Sequence, residues 1–177
     1  MSVNDDDRSP WSGRFAGMIE YQPLLTDLLA SRDNLRHRIL FDYHRYEYVI
    51  PCEIVIEPER RAIAIVASTT HRIPKYCMTA ATAIAAASCR DGYPQVIVDE
   101  STRKLLAMLP IATADLGTGP FIDMAVDLTA LRLMAIARRI DLNVSGLSIE
   151  TVAAISELEL ARMLVPLRSY RPFKAAE

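Results

Sequence analysis

One stretch, residues 120–142, constrains the fold of this chain more than any other. It is long enough for about six helical turns, and Pro120 stands where the first turn of a helix tolerates proline. At about 100° per residue, its apolar side chains fall on two separate flanks. One flank comprises Ile122, Val126, Leu133, Ile136 and Ile140, and the other comprises Met124, Leu128, Leu131 and Leu142. A surface helix needs only one apolar flank, so we expect this helix to pack against two partners.

The character of each flank predicts its partner. The first flank is rich in β-branched residues and suits packing on a sheet, whereas the second is flexible and leucine-rich and suits contact with a helix. We therefore predict a protein-interaction site at Met124, Leu128, Leu131 and Leu142. Its partner is either another polypeptide, most simply a second copy in a homodimer, or the last helix of the same chain. Two polar edges separate the flanks: Asp123, Asp127, Arg138 and Asp141 on one, Arg132 and Arg139 on the other.

Alternating apolar and polar residues predict two β-hairpins elsewhere in the chain. The first pairs Cys52–Glu57 with Ala62–Ala67, and the second pairs Val96–Asp99 with Lys104–Met108. Residues 39–50 are rich in aromatic and β-branched residues and predict one bent strand or two short ones.

Proline, glycine and capping residues predict the remaining helices. Leucines on one face predict a first helix over residues 23–37, and a middle helix runs from Pro74 to about Cys89. Ser148 can cap a last helix that ends before Pro166. Because the strands come in hairpins, the fold class is α+β. We expect an antiparallel sheet of about five strands, built from the two hairpins and packed against helices, with an extra C-terminal helix.

The chain length predicts one α+β domain over residues 21–165, preceded by a flexible N-terminal arm at 1–20 and followed by a loose tail at 166–177. The net charge of −2 makes general nucleic-acid binding unlikely by electrostatics. Three cysteines in apolar segments and a polar start without a signal peptide predict a reduced, cytoplasmic protein. No apolar run reaches the roughly 20 residues of a membrane span, so no membrane partner is expected.

The residues that usually carry chemistry are scattered. His37, His44 and His71 do not stand at metal-ligand spacing, and no phosphate-binding or hydrolase motif is present. The pairs Glu53 with Glu57 and Asp123 with Asp127 are interpreted as a solvated strand face and an acidic helix start. We therefore expect a non-enzymatic protein without a metal or cofactor.

The segment from Arg36 to Tyr48 is the strongest sign of a nucleotide or nucleic-acid site. Basic and aromatic residues interleave there, as stacking surfaces require. The candidate contacts are Arg36, Arg38, His44, Arg45 and Tyr46. Asp42 and Glu47 weaken the positive charge of the segment, so this function is the alternative rather than the main prediction.

The element order from Pro23 to Leu142 resembles that of the YbjN-like and type III secretion chaperone-like superfamily. The segments that carry the likeness are residues 39–67 as three strands, IPKYCMTAATAIAAA as the middle helix, VIVDESTRKLLAMLPIA as the second hairpin and PFIDMAVDLTALRLMAIARRI as the closing helix. The resemblance implies a small α+β domain that pairs into dimers and binds proteins through its surfaces, as a chaperone-like or regulatory adaptor. A structural subunit of a larger assembly is a further alternative.

Overall fold

The computed structural model describes residues 35–45, 48–89, 93–111, 119–164 and 172–173, together with residues 27 and 30. The strands and helices of these segments follow one another as β1 His37–Arg45, β2 Tyr48–Glu57, β3 Ala62–Ser68, α1 Met78–Ala87, β4 Gln95–Asp99, β5 Lys104–Ile111, α2 Gly119–Val144, α3 Ile149–Ala154 and α4 Glu157–Leu164. Short 3-10 helices, Pro58–Arg60 and Lys75–Cys77, precede β3 and α1.

The five strands form one antiparallel sheet in the order β1-β2-β3-β5-β4. Both predicted hairpins are present, with Cys52 opposite Ala67 and Asp99 opposite Lys104. The connection between β2 and β3 ends at Arg61, whose φ of 48° lies in the left-handed region. Pairing of β3 with β5 joins the two hairpins into a single sheet. The predicted α+β class is confirmed.

The N-terminal part of the fold corrects one prediction. The first helix was expected to reach His37, but Leu35 and Arg36 are not helical and His37 begins β1. Ile39, Phe41 and Tyr43 are buried on one face of the sheet and alternate with the exposed Leu40 and Asp42, which is strand behaviour. Most of residues 23–34 lie outside the described residues. The region 39–50 forms parts of two strands, the second of the two predicted possibilities.

The predicted single last helix is in fact two helices. Ser148 caps α3 as expected, since its hydroxyl accepts a 3.1 Å hydrogen bond from the backbone N–H of Thr151. The chain then leaves the helix at Ile155 and restarts at Ser156. The Ser156 hydroxyl accepts from the N–H of Glu159, and the Glu159 carboxylate accepts from the N–H of Ser156. This reciprocal capping box starts α4 and explains the break.

The hydrophobic core lies between one face of the sheet and the helices. Its inward side chains on β2, β3 and β5 include Ile54, Ile65 and Leu105, all fully buried. α2 lies against β3 and β5, and α1 lies against β4 and α2. In the segment after α4, Phe173 is buried in this core. Apart from Pro172 and Phe173, the residues of the predicted tail and all those of the predicted N-terminal arm lie outside the described residues.

Candidate protein-interaction surfaces

The sheet-facing flank of α2 is buried as its composition predicts. Ile122, Val126, Leu133, Ile136 and Ile140 are each no more than 1% exposed. They belong to the same hydrophobic cluster as the inward side chains of the sheet. This flank therefore fixes α2 on the domain and determines which sides of the helix remain for other contacts.

One of the two predicted polar edges of α2 is also buried. Arg132 and Arg139 are each 3% exposed. Arg139 donates a 2.9 Å hydrogen bond to the Ser88 hydroxyl after α1 and a 2.7 Å bond to the Ile155 carbonyl between α3 and α4. Arg132 donates to the Ser88 carbonyl, pairs with Glu157 at the start of α4, and lies over the Tyr93 ring, 5.5 Å from its centroid. These contacts place α1, α3 and α4 along this edge of α2.

The second apolar flank of α2, Met124, Leu128, Leu131 and Leu142, is hereafter the α2 stripe. Met124 is 67% exposed, Leu128 38% and Leu131 37%, while Leu142 is partly buried against the core. In the described part of the chain, α3 and α4 contact α2 along the Arg132–Arg139 edge and leave this stripe uncovered. The chain's own last helix is therefore not the partner of the stripe within the described residues.

The residues around the α2 stripe are mixed in character. Ala135 is 5% exposed and lies between Leu131 and Leu142 along the stripe, and Arg138 is half-buried beside it. On the side toward β1, the Tyr43 hydroxyl donates to the Asp127 carboxylate, which links the sheet to α2. Ala135 was not among the residues predicted for the stripe, although its seven-residue spacing from Leu128 and from Leu142 places it on the same side of the helix.

The side of the sheet away from the helices is a second open surface. Cross-strand register places Leu40, Glu53, Val66, Met108 and Gln95 in one row across all five strands. The apolar residues of this outer sheet face include Leu40, Val49, Val66, Ile97, Leu106 and Met108. A shallow groove of about 310 Å³ crosses it. An antiparallel sheet commonly has one solvated face, and this face is mixed in character, since Arg38, Glu53 and Lys104 line the groove beside its apolar residues.

In the predicted nucleotide site, two of the basic residues are paired with acidic residues. Arg38 donates a 2.8 Å hydrogen bond to the Glu53 carboxylate on the neighbouring strand, and Arg36 lies 3.8 Å from the Glu57 carboxylate. Both cations therefore stand beside an acid that competes with a phosphate for them. His44 is exposed on the same face as Arg38, whereas the side chain of Arg45 and the whole of Tyr46 lie outside the described residues.

Two of the cysteine thiols in the described segments have raised pKa values. Burial raises the pKa of the Cys52 thiol to about 12, with Asp42 adding to the rise, so this thiol is protonated at neutral pH. Burial also raises the pKa of Cys77. In the described part of the chain, no three His, Cys, Asp or Glu side chains are grouped as a metal site requires. None of the described helices combines the length and apolar composition of a membrane span.

Comparison with known proteins found no family model, no curated protein and no solved structure that matches this chain. The likeness to the YbjN-like and type III secretion chaperone-like superfamily stays a prediction from element order.

Proposed function

We propose that this chain is a non-enzymatic protein-binding module that docks a polypeptide through the α2 stripe, in the manner of a chaperone-like or regulatory adaptor. One observation carries the proposal: the sheet-facing flank and the Arg132–Arg139 edge of α2 are buried by its own domain, while the second apolar flank stays open at Met124, Leu128 and Leu131. A surface helix needs only one apolar flank, so a second apolar flank that its own domain leaves open favours a partner.

The free energy expected from burying the exposed side chains of the stripe supports docking. Complete burial of a leucine or methionine side chain stabilises by about 1.5–3 kcal/mol, and Met124, Leu128 and Leu131 each keep at least a third of their surface exposed. Covering them supplies a few kcal/mol toward association. The outer sheet face offers a further apolar area for the same or another polypeptide.

Two alternatives receive less support. Nucleotide binding at Arg36 and Arg38 has to displace Glu57 and Glu53 from the arginines. A structural subunit uses the α2 stripe as well but holds its partner permanently, so an adaptor and a structural subunit differ in how readily the complex dissociates.

Cytoplasmic location belongs to the same proposal, because Cys52, Cys77 and Cys89 are free thiols, as is usual in a reducing compartment.

A paired affinity experiment tests the proposal. The full chain and its Leu128→Asp variant are used as baits in an extract of the native cells, and the retained polypeptides are compared by mass spectrometry. The matched control is Leu158→Asp, the same substitution at a leucine on α4 that is 63% exposed and outside the stripe. We expect a polypeptide, which can be the chain itself, to be retained by wild type and the control and lost from Leu128→Asp. Identical retention by all three baits would rule out docking at the stripe.

A further inference from the structure

We infer that α3 and α4 form one strap that opens from the Arg132–Arg139 edge of α2 while the sheet, α1 and α2 stay folded. The strap comprises residues 149–164. The ion pair between Arg132 and Glu157 holds it closed. This movement within the chain does not require docking at the α2 stripe.

The strap buries few of its side chains. α3 has six residues and α4 has eight. Isolated helices shorter than about 12–15 residues are marginal in water, so both depend on packing against the domain. Among the side chains described within residues 149–163, only Val152 and Leu160 are buried, whereas α2 buries most of its described side chains within residues 122–140. Segments with few buried apolar side chains open at a lower free energy than the core beside them.

Both ends of the strap are tied to the rest of the domain. α2 ends in a turn at Gly146, whose φ of 108° favours glycine. The Gly146 N–H donates to the Asn143 carbonyl at 3.0 Å, and the Leu147 N–H donates to the Leu142 carbonyl at 3.2 Å, which closes α2 before the strap begins. After the strap, Phe173 is buried in the core. An opened strap therefore stays tethered on both sides and returns to the same place.

Two arginines of α2 make polar contacts with the strap. Arg139 donates to the Ile155 carbonyl at 2.7 Å, and Arg132 pairs with Glu157, whose side chain is 33% exposed. Each arginine also donates to Ser88 at the end of α1, which is not part of the strap. When the strap opens, the contacts with Ser88 stay and water solvates the Glu157 carboxylate. Because desolvation offsets much of the attraction within a buried ion pair, separating this pair costs less than its burial suggests.

Opening of the strap changes the surface that α2 presents. Leu128 and Arg132 are four residues apart and are neighbours on the helix. With the strap closed, Arg132 and Arg139 are buried beside the α2 stripe, and opening adds both to the open side of the helix. The strap thereby controls how much of α2 another molecule can reach.

Amide hydrogen exchange of the full chain, followed by NMR, measures the opening. The N–H groups of Val152 and Leu160 donate to the Ser148 and Ser156 carbonyls at 3.0 Å, so each helix of the strap has a bonded amide at a buried residue. The amide of Ile54 on β2, which lies between β1 and β3, reports on the sheet. We expect Val152 and Leu160 to share one opening equilibrium constant, at least about tenfold larger than that of Ile54. Different constants for Val152 and Leu160, or a shared constant equal to that of Ile54, would overturn the inference.

A core substitution separates opening of the strap from unfolding of the whole domain. Ile65→Val shortens a fully buried side chain on β3 and should raise the opening constant of Ile54 about two- to tenfold. The constants of Val152 and Leu160 should be unchanged, because the sheet stays folded when the strap opens. An equal rise at all three amides would mean that the strap opens only when the whole domain unfolds, which contradicts the inference.

Removing the charge of Glu157 tests the ion pair that holds the strap closed. Glu157→Gln leaves Arg132 without its carboxylate partner in the closed state, so the opening constants of Val152 and Leu160 should rise together by about tenfold or more. Glu150→Gln is the matched control, since it makes the same change at an exposed glutamate of α3, and it should change these constants by less than about threefold. Constants that are the same in Glu157→Gln as in wild type would show that this pair does not hold the strap.

Discussion

The Arg132 guanidinium donates a hydrogen bond to the backbone carbonyl of Ser88, at the C-terminal end of α1. Arg132 is 3% exposed and also pairs with Glu157, so one buried cation joins α1, α2 and α4. The last carbonyl groups of a helix lack partners within the helix and carry partial negative charge. A guanidinium satisfies such a carbonyl well, which explains why an arginine is stable at this position.

Arg132→Ala should therefore destabilise the domain. The change leaves the Ser88 carbonyl and the Glu157 carboxylate without this donor, and we expect a loss of about 2–4 kcal/mol in the free energy of unfolding, below the full value of a buried pair because Glu157 is partly exposed. Urea denaturation followed by circular dichroism measures it. Arg60→Ala is the control, because Arg60 is exposed and its ion pair with Glu57 is 3.4 Å long, so its loss should fall within about 0.5 kcal/mol. Equal losses in the two variants would show that the buried contacts do not stabilise the fold.

The turn between β4 and β5 predicts a pH dependence. The Asp99 carboxylate accepts hydrogen bonds from the hydroxyls of Thr102 and Ser101, at 2.6 and 2.7 Å. These bonds hold the pKa of Asp99 at about 2, below the ordinary 3.8. A lowered folded-state pKa stabilises the fold above the unfolded pKa, and this contribution is lost as the pH falls from about 4 toward 2.

Thermal melts of wild type and Asp99→Ala at pH 7, 5, 3 and 2 test this dependence. Wild type should melt higher at pH 7 and 5, and the difference should shrink between pH 4 and 2. Glu100→Ala removes a charge from the same turn at an exposed side chain and serves as the control. A difference for Asp99→Ala that persists undiminished at pH 2 would mean that the charge of Asp99 is not what stabilises the turn.

Much of the fold was predictable from local patterns. The hairpin of β2 and β3 was predictable because Cys52, Ile54 and Ile56 alternate with Glu53, Val55 and Glu57, and the period-two pattern can satisfy a buried face in only one register. The extent of α2 followed from periodicity over six turns. The break before α4 was missed although Ser156 and Glu159 carry the capping-box spacing, because the apolar residues on either side suggested one continuous helix.

The burial of Arg132 and Arg139 was not predictable. Two arginines on one edge of a helix suggest a solvated surface, and their partners, Ser88 and Ile155, come from elements distant in sequence and joined only by tertiary packing.

The candidate site, by contrast, was predictable in part. Periodicity identified the α2 stripe, since side chains on one helical face follow from spacing alone. That α3 and α4 lie on the other edge depends on the tertiary contacts of the two arginines.

Affinity capture from an extract of the native cells, with Leu128→Asp beside wild type and Leu158→Asp as baits, tests the central claim, that the α2 stripe is a docking surface, most directly. Leu128 is already 38% exposed in the single chain, so the carboxylate should change the free energy of unfolding by no more than about 1 kcal/mol, and circular dichroism should show a folded domain. The account predicts a polypeptide that is retained by wild type and Leu158→Asp and lost from folded Leu128→Asp. A folded Leu128→Asp that retains the same polypeptides as wild type would contradict it.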